Sequence, residues 1–277
     1  MNAERDLSGK TMLVTGATSG IGLEVARSMA AHGARVVVGA RDAARGAAVV
    51  AQFAGAEMLH LDVSSFASIR AAAHSFATRH ATLDVLVNNA GHLAGKREES
   101  VDGHELTWAT NLLGPFLLTN ELLPALQAAN APRVVNLGSG AFASGRMHWD
   151  DLDLRRARFV GFAAYAQSKL ALMLFTRELA RRYPDIVANC VHPGTLATRI
   201  FRNLPPPLAF VLRRVLPSPA TGAEPVLRLA TDPALANVSG RYFDKLREAP
   251  LTRAARSDVD ALHLWDVAAA ASGIGDG

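Results

Sequence analysis

The sequence predicts an α/β domain whose mostly parallel sheet is covered by helices on both faces. Short apolar runs such as TMLVT and ARVVVGA read continuously instead of alternating with polar residues, as strands buried on both faces do. Longer stretches with helical spacing separate them. The third observation is positional: unusual polar and glycine clusters fall where strands end, the place where ligands bind in such sheets.

TMLVTG (11–16) is the first strand, and the helix at 20–32 carries Ile21, Val25, Met29 and Ala30 on one face. ARVVVGA (34–40) and RDAARGAAVVAQF (41–53) form the second strand and helix, and AEMLHLDV (56–63) the third strand before an alanine-rich helix at 65–80. LDVLVNNAG (83–91) is the fourth strand, followed by a helix over ELTWATNLLGPFLLTNELLPAL (105–126). RVVNLGS (133–139), a long helix at 162–183 and DIVANCVHPG (185–194) supply the fifth strand, its helix and the sixth strand. Seven strands are expected in all. No repeat or linker-like stretch interrupts the 277 residues, so one domain is expected over 1–277.

Composition narrows the function. Hydrophobic residues make up 49 % of the chain, enough for a substantial core. The single cysteine, Cys190, excludes a disulfide framework and a multi-cysteine zinc site. HELTW at 104–108 lacks the second histidine of a zinc-protease motif, and no metal is expected. The net charge of +4 comes with scattered arginine pairs and no aromatic platform, so no nucleic-acid partner is expected. With no apolar leader and no run long enough to span a bilayer, the expectation is a cytoplasmic protein without an integral membrane segment.

TGATSGIG (15–22) places Gly16, Gly20 and Gly22 between a strand and a helix. Gly16 permits the tight turn, Gly20 lets backbone approach a pyrophosphate, and Gly22 lets the helix pack closely. Helix-terminal amides then face the anion, as in a Rossmann-type doubly wound domain. YAQSK (165–169) sets Tyr165 and Lys169 four residues apart on one helical face. Such a pair is either a surface contact or a proton-transfer couple in which the ammonium eases phenol ionisation. Ser139 sits in G-S-G, and no G-x-S-x-G nucleophile elbow exists in the chain.

The G-x-x-x-G-x-G spacing, NNAG (88–91), Asn111, Ser139 and YAQSK together resemble the short-chain dehydrogenase/reductase family in its classical form. DGHELTWATNLLGPFLLT, YAQSKLALMLFTRELARR, VHPG, the late Tyr242–Phe243 and Leu264–Trp265 pairs and the 25 residues between Ser139 and Tyr165 are similar to its retinol-dehydrogenase-like and WW-domain-oxidoreductase-like branch. His104 departs from that branch's aromatic and Gly138 from its frequent serine.

The resemblance implies an NAD(P)-dependent oxidoreductase acting on a carbonyl or alcohol. It implies that Tyr165 is the general acid/base and that Lys169 supports it and binds the nicotinamide ribose. Ser139 would hydrogen-bond the substrate oxygen, and Asn111 would hold a water linking Lys169 to solvent. Cofactor contacts are implied for Gly16, Thr18, Ser19, Gly20, Ile21, Gly22, Arg41, Asp62, Val63, Asn89, Ala90, Gly91, Pro193, Gly194, Leu196 and Thr198. Asp62 reads otherwise as a strand-end cap.

The cofactor half is expected at about 8–140 and the catalytic and substrate half at about 141–270. FRNLPPPLAFVLRRVLPSP (201–219) is apolar and proline-rich, and falls where the family keeps a substrate-covering lid, which suggests a hydrophobic substrate. It reads alternatively as a core helix with a proline-rich entry, as a subunit interface, which would make a homo-oligomer, or as a membrane-contacting patch. Strand two ends in Ala40 without an acidic residue, and Arg41 follows, so NADP(H) is favoured and NAD(H) stays admissible. Asp42 reads as the cap of the second helix. The contrasting expectation is a dinucleotide-binding sensor or scaffold with little catalysis, against which the full set Asn111, Ser139, Tyr165 and Lys169 weighs.

Overall fold

Every residue of the first strand, β1 (Thr11–Thr15), is buried, as the middle of a doubly covered sheet requires. The computed structural model describes residues 6–194 and 218–275. Six further strands run parallel to β1: β2 (Arg35–Ala40), β3 (Ala56–His60), β4 (Val85–Asn88), β5 (Arg133–Leu137), β6 (Val187–His192) and β7 (Tyr242–Asp244). An eighth, β8 (Arg247–Glu248), turns back antiparallel to β7. The sheet order is β3-β2-β1-β4-β5-β6-β7-β8, one strand more than the seven expected. The extra strand is two residues long and follows a turn in which Lys245 takes φ +54°, which an apolar pattern does not reveal.

The helices are α1 (Gly20–Ala31), α2 (Ala43–Val50), α3 (Phe66–Ala77), α4 (Leu106–Trp108), α5 (Gly114–Glu121), α6 (Leu123–Gln127), α7 (Gly161–Arg182), α8 (Pro219–Thr231) and α9 (Asp258–Ser272). Strand residues alternate between two cores. Leu13, Val37, Leu86 and Val134 face the cluster with Phe116, Phe175 and Trp265. Met12, Val14, Val36 and Val87 face the cluster with Val25, Met29 and Val226. No helix among the described residues is long and apolar enough to cross a membrane.

Two departures from the expected elements shape the site. β4 stops at Asn88 because Asn89 turns to meet β1 (its Nδ2 donates to the Thr15 carbonyl at 2.7 Å). The helix expected over 105–126 is broken by a π-helical stretch at Ala109–Leu113, with Pro115 and Pro124 starting the segments that follow. π-Bulges are rare and concentrate at functional sites.

Gly114 opens α5 against the loop after β3, and a side-chain carbon there would run into the Val63 carbonyl oxygen. That neighbour is backbone and has no rotamer to yield. Gly114→Ala is therefore expected to destabilise the chain by about 1–3 kcal/mol in urea unfolding. Gly95→Ala, with no atom within 4 Å of its added carbon, is the neutral control. Equal stability of the two variants would show that the α5 contact has no energetic weight.

Candidate active site

The chain passes from β1 outward to β3 and returns to β4 on the other side of β1, which opens a crevice at the carboxyl ends of those two strands. A cleft of about 1100 Å³ occupies it. Thr15 and Asn89 fasten its floor: the Thr15 hydroxyl accepts from the backbone N–H of Asn89 at 3.0 Å and of Ala90 at 2.9 Å. Gly16, at φ +66°, makes the turn that leads into the cleft.

Gly16, Thr18, Ser19, Gly20 and Ile21 line the cleft at the start of α1. The Ser19 side chain makes no cap bond to the helix amides, and space beside Gly20 is open for 4 Å. Uncapped amides at a helix N-terminus with open space before them fit an anionic pyrophosphate. Gly22 lies behind this surface; a side-chain carbon there would collide with the Asn89 amide and come within 2.9 Å of the Gly16 carbonyl. Its small size thus serves the junction with NNAG.

At the end of β2, Arg41 and Arg45 both line the cleft. Asp42 caps α2, accepting from the Arg45 N–H at 3.0 Å, as the sequence suggests. Arg41 is 76 % exposed and stands 3.7 Å from Asp62. Asp62 and Val63 line the same wall, and the Asp62 carboxylate also accepts from Ser64 N at 3.0 Å and Ser64 Oγ at 2.6 Å. It is both a strand-end cap and a cleft residue. Arg45 escaped sequence analysis; its offset of three from the Asp42 cap was the available signal.

Asn89, Ala90, Gly91, Pro193 and Gly194 line the far side together with His192, which sequence analysis quoted within VHPG without assigning it a place in the site. Leu196, Thr198 and the expected lid lie outside the described residues, apart from Ser218 and Pro219 at its end.

The four residues of the implied catalytic set converge. Asn111, inside the π-helical stretch, ties that helix to the loop after β4: its Oδ1 accepts from His92 N at 2.7 Å and its Nδ2 donates to His92 O at 2.8 Å. Nδ2 also donates to Ser168 Oγ at 2.9 Å, which couples the π-helical stretch to α7. Lys169 is buried on α7 and donates to the Leu137 carbonyl at 2.7 Å, at the end of β5. Its Nζ stands 5.6 Å from the centre of the Tyr165 ring. A side-chain carbon on Gly91 would lie 3.5 Å from Asn111 Oδ1 and 3.9 Å from Lys169 Nζ, which places that glycine at the junction of the two. Ser139, Tyr165 and Lys169 line the cleft side by side.

Burial pushes Tyr165 above its ordinary value, and the hydroxyl of Ser139 beside it offsets this in part. Burial likewise pushes the neighbouring Cys190 thiol up to about 12, so it stays neutral beside Lys169.

The chain matches the short chain dehydrogenase family over residues 10–208, and it belongs to that family. Within the family it stands with the retinol-dehydrogenase-like branch. It is 35 % identical to human retinol dehydrogenase 13, over 94 % of this chain and 83 % of the relative. Among solved structures it resembles an uncharacterized protein of Mycobacterium paratuberculosis, with TM-score 0.80, 34 % identity and coverage of 97 % and 95 % of the two chains. It also resembles Pseudomonas aeruginosa RhlG in an NADP active-site complex, with TM-score 0.73, 30 % identity and coverage of 88 % and 97 %.

Burial lowers the pKa of Lys169 from 10.5 to about 8. Between those values the unfolded chain keeps a proton that the folded chain has released, so this residue's contribution to stability rises with pH. Tyr165 and Cys190, both raised, act in the opposite sense at higher pH. Comparison with Lys169→Met isolates the lysine. The variant is expected to gain stability over wild type near pH 7, and that gain should shrink by on the order of 2–3 kcal/mol towards pH 10 in urea unfolding. A difference constant with pH would contradict a depressed lysine.

Proposed function

We propose that this protein is an NADP(H)-dependent oxidoreductase that interconverts a carbonyl and an alcohol on a hydrophobic substrate, with Tyr165 as general acid/base. The observation that carries this reading is that Ser139, Tyr165 and Lys169 open onto the cleft that holds the glycine loop. The residues fit a dinucleotide: uncapped α1 amides for the pyrophosphate, Asp62 and Val63 for the adenine and Lys169 for the ribose hydroxyls. Asn89, Ala90, Gly91, Pro193 and Gly194 would border the nicotinamide.

A bound nicotinamide supplies the hydride for reduction or accepts it in oxidation. The protein's part is protonic and positional. A phenol held protonated by burial is suited to donate its proton to the carbonyl oxygen as negative charge develops there. The Ser139 hydroxyl donates a hydrogen bond to the same oxygen, where it stabilises that charge. The buried Lys169 ammonium favours the phenolate left on Tyr165. In oxidation the proton moves from the alcohol to that phenolate. Asn111, bonded to His92 and Ser168, fixes the helix beside Lys169.

Two features support NADP over NAD. Ala40 brings no carboxylate to the end of β2, and Asp42 is occupied in capping α2. Arg41 and Arg45 line that wall of the cleft, and their planar forks suit a 2′-phosphate. The likeness to human retinol dehydrogenase 13 and the apolar Leu93, Leu106 and Phe162 in the cleft support a hydrophobic substrate.

Loss of NADPH absorbance over a panel of aldehydes and ketones tests the reaction. Tyr165→Phe is expected to lower kcat by roughly 10²–10⁴-fold while cofactor affinity is kept. Retention of more than about a tenth of the wild-type rate would remove Tyr165 from the role of acid. Arg41→Ala and Arg45→Ala are each expected to weaken NADPH binding by about ten- to a hundredfold with NADH little changed, in titrations at fixed salt. Equal losses for both nucleotides would contradict recognition of a 2′-phosphate.

A further inference from the structure

Beyond Tyr165 the cleft extends to the start of α7, where Phe162 lines its rim. This ring is 58 % exposed, whereas Phe76, Phe116, Phe142, Phe175 and Phe243 are buried. What distinguishes it from other exposed apolar residues is its place in the cleft lining, where Leu93 and Leu106 also stand and an apolar ligand could cover it. Phe162 lies three residues before Tyr165, on the same face of the helix and about 4.5 Å away along its axis.

The backbone beneath the ring is fixed from two sides. A side-chain carbon at Gly161 would collide with the Ala94 carbonyl, so the start of α7 is seated against the loop after β4. One turn beyond, Gln167 accepts from His148 N at 3.0 Å and donates to Leu152 O at 3.0 Å. The helix therefore holds Phe162 in place at the mouth. Leu93 and Leu106 line the same cleft.

We infer that Phe162 is a specificity-determining residue: its ring packs against the apolar body of a carbonyl or alcohol substrate, about one helical turn from the reacting carbon. The inference rests on the oxidoreductase reading above. It selects by the extent of the apolar body. A short aldehyde held at Tyr165 ends before the ring, whereas a long-chain or fused-ring substrate reaches it. Phe162 takes no part in proton or hydride transfer.

The test uses the NADPH-loaded enzyme and linear aldehydes from butanal to decanal, with Phe162→Ala and Phe162→Leu. Phe162→Ala is expected to raise KM for decanal about tenfold, to leave butanal within about twofold and to keep kcat. Phe162→Leu, which restores apolar bulk, should recover much of the loss. A change uniform along the series, or none, overturns the assignment. Fluorescence titration with the naphthyl ketone prodan reads the same contact without turnover, with an expected loss of affinity of about tenfold in Phe162→Ala. Unchanged prodan affinity also counts against it. If Phe162→Ala instead abolishes sedimentation with phosphatidylcholine–phosphatidylserine vesicles and leaves aldehyde KM values unchanged, the ring is a membrane contact and the inference falls. Failure of the oxidoreductase reading has a different signature: wild type itself would reduce no member of the series.

Discussion

The hydroxyl of Thr15 is the fastening on which the site depends. It joins the ends of two strands that are adjacent in the sheet, across 74 residues of sequence to Asn89, by accepting from both Asn89 and Ala90. Asn89 returns the contact to the Thr15 carbonyl. This junction holds the glycine loop against the loop carrying Gly91 and His92, and Asn89 Nδ2 adds a 3.4 Å contact to the Gly16 carbonyl. Because His92 in turn holds Asn111, and Asn111 holds Ser168, the junction passes positional information from β1 to α7. Each step is a short bond between groups removed from bulk water, where a hydrogen bond left unmade is costly.

Much of this was legible in the sequence because the chemistry demands particular residue types at fixed offsets. A tyrosine and lysine four apart share a helix face wherever that helix lies. Glycines at 16, 20 and 22 announce a turn into a helix N-terminus. Elements held by tertiary contacts were less legible. The helix expected over 105–126 carries no internal signal for its π-helical stretch, because the cause, Asn111 bonding to His92, lies across the fold. Arg45 reads as an ordinary surface residue until β2 and the Asp42 cap place it at the cleft. The depth at which Tyr165 is buried, which raises its pKa, is likewise set by the fold and not by the spacing to Lys169.

A chain of buried polar side chains runs behind the catalytic set. Asn88 donates to Asn136 at 2.8 Å and to Thr119 at 3.2 Å, and Asn136 donates to Thr176 at 2.9 Å on α7. It crosses β4 and β5 and fixes how α7 sits on the sheet. An apolar core tolerates sliding better than a hydrogen-bonded network, which has few satisfied arrangements. Lys169 and Tyr165 are therefore set in height as well as in facing.

Gly138, next to Ser139, has a less obvious consequence. A side-chain carbon at this position would stand 2.5 Å from Cys190 Sγ, in space that the thiol already fills. Positions 138 and 190 share one small volume across neighbouring strands, so a side chain at 138 requires the Cys190 thiol to turn away or residue 190 to be smaller. The lone cysteine acts here as a spacer beside the site serine, and what one position carries limits the other.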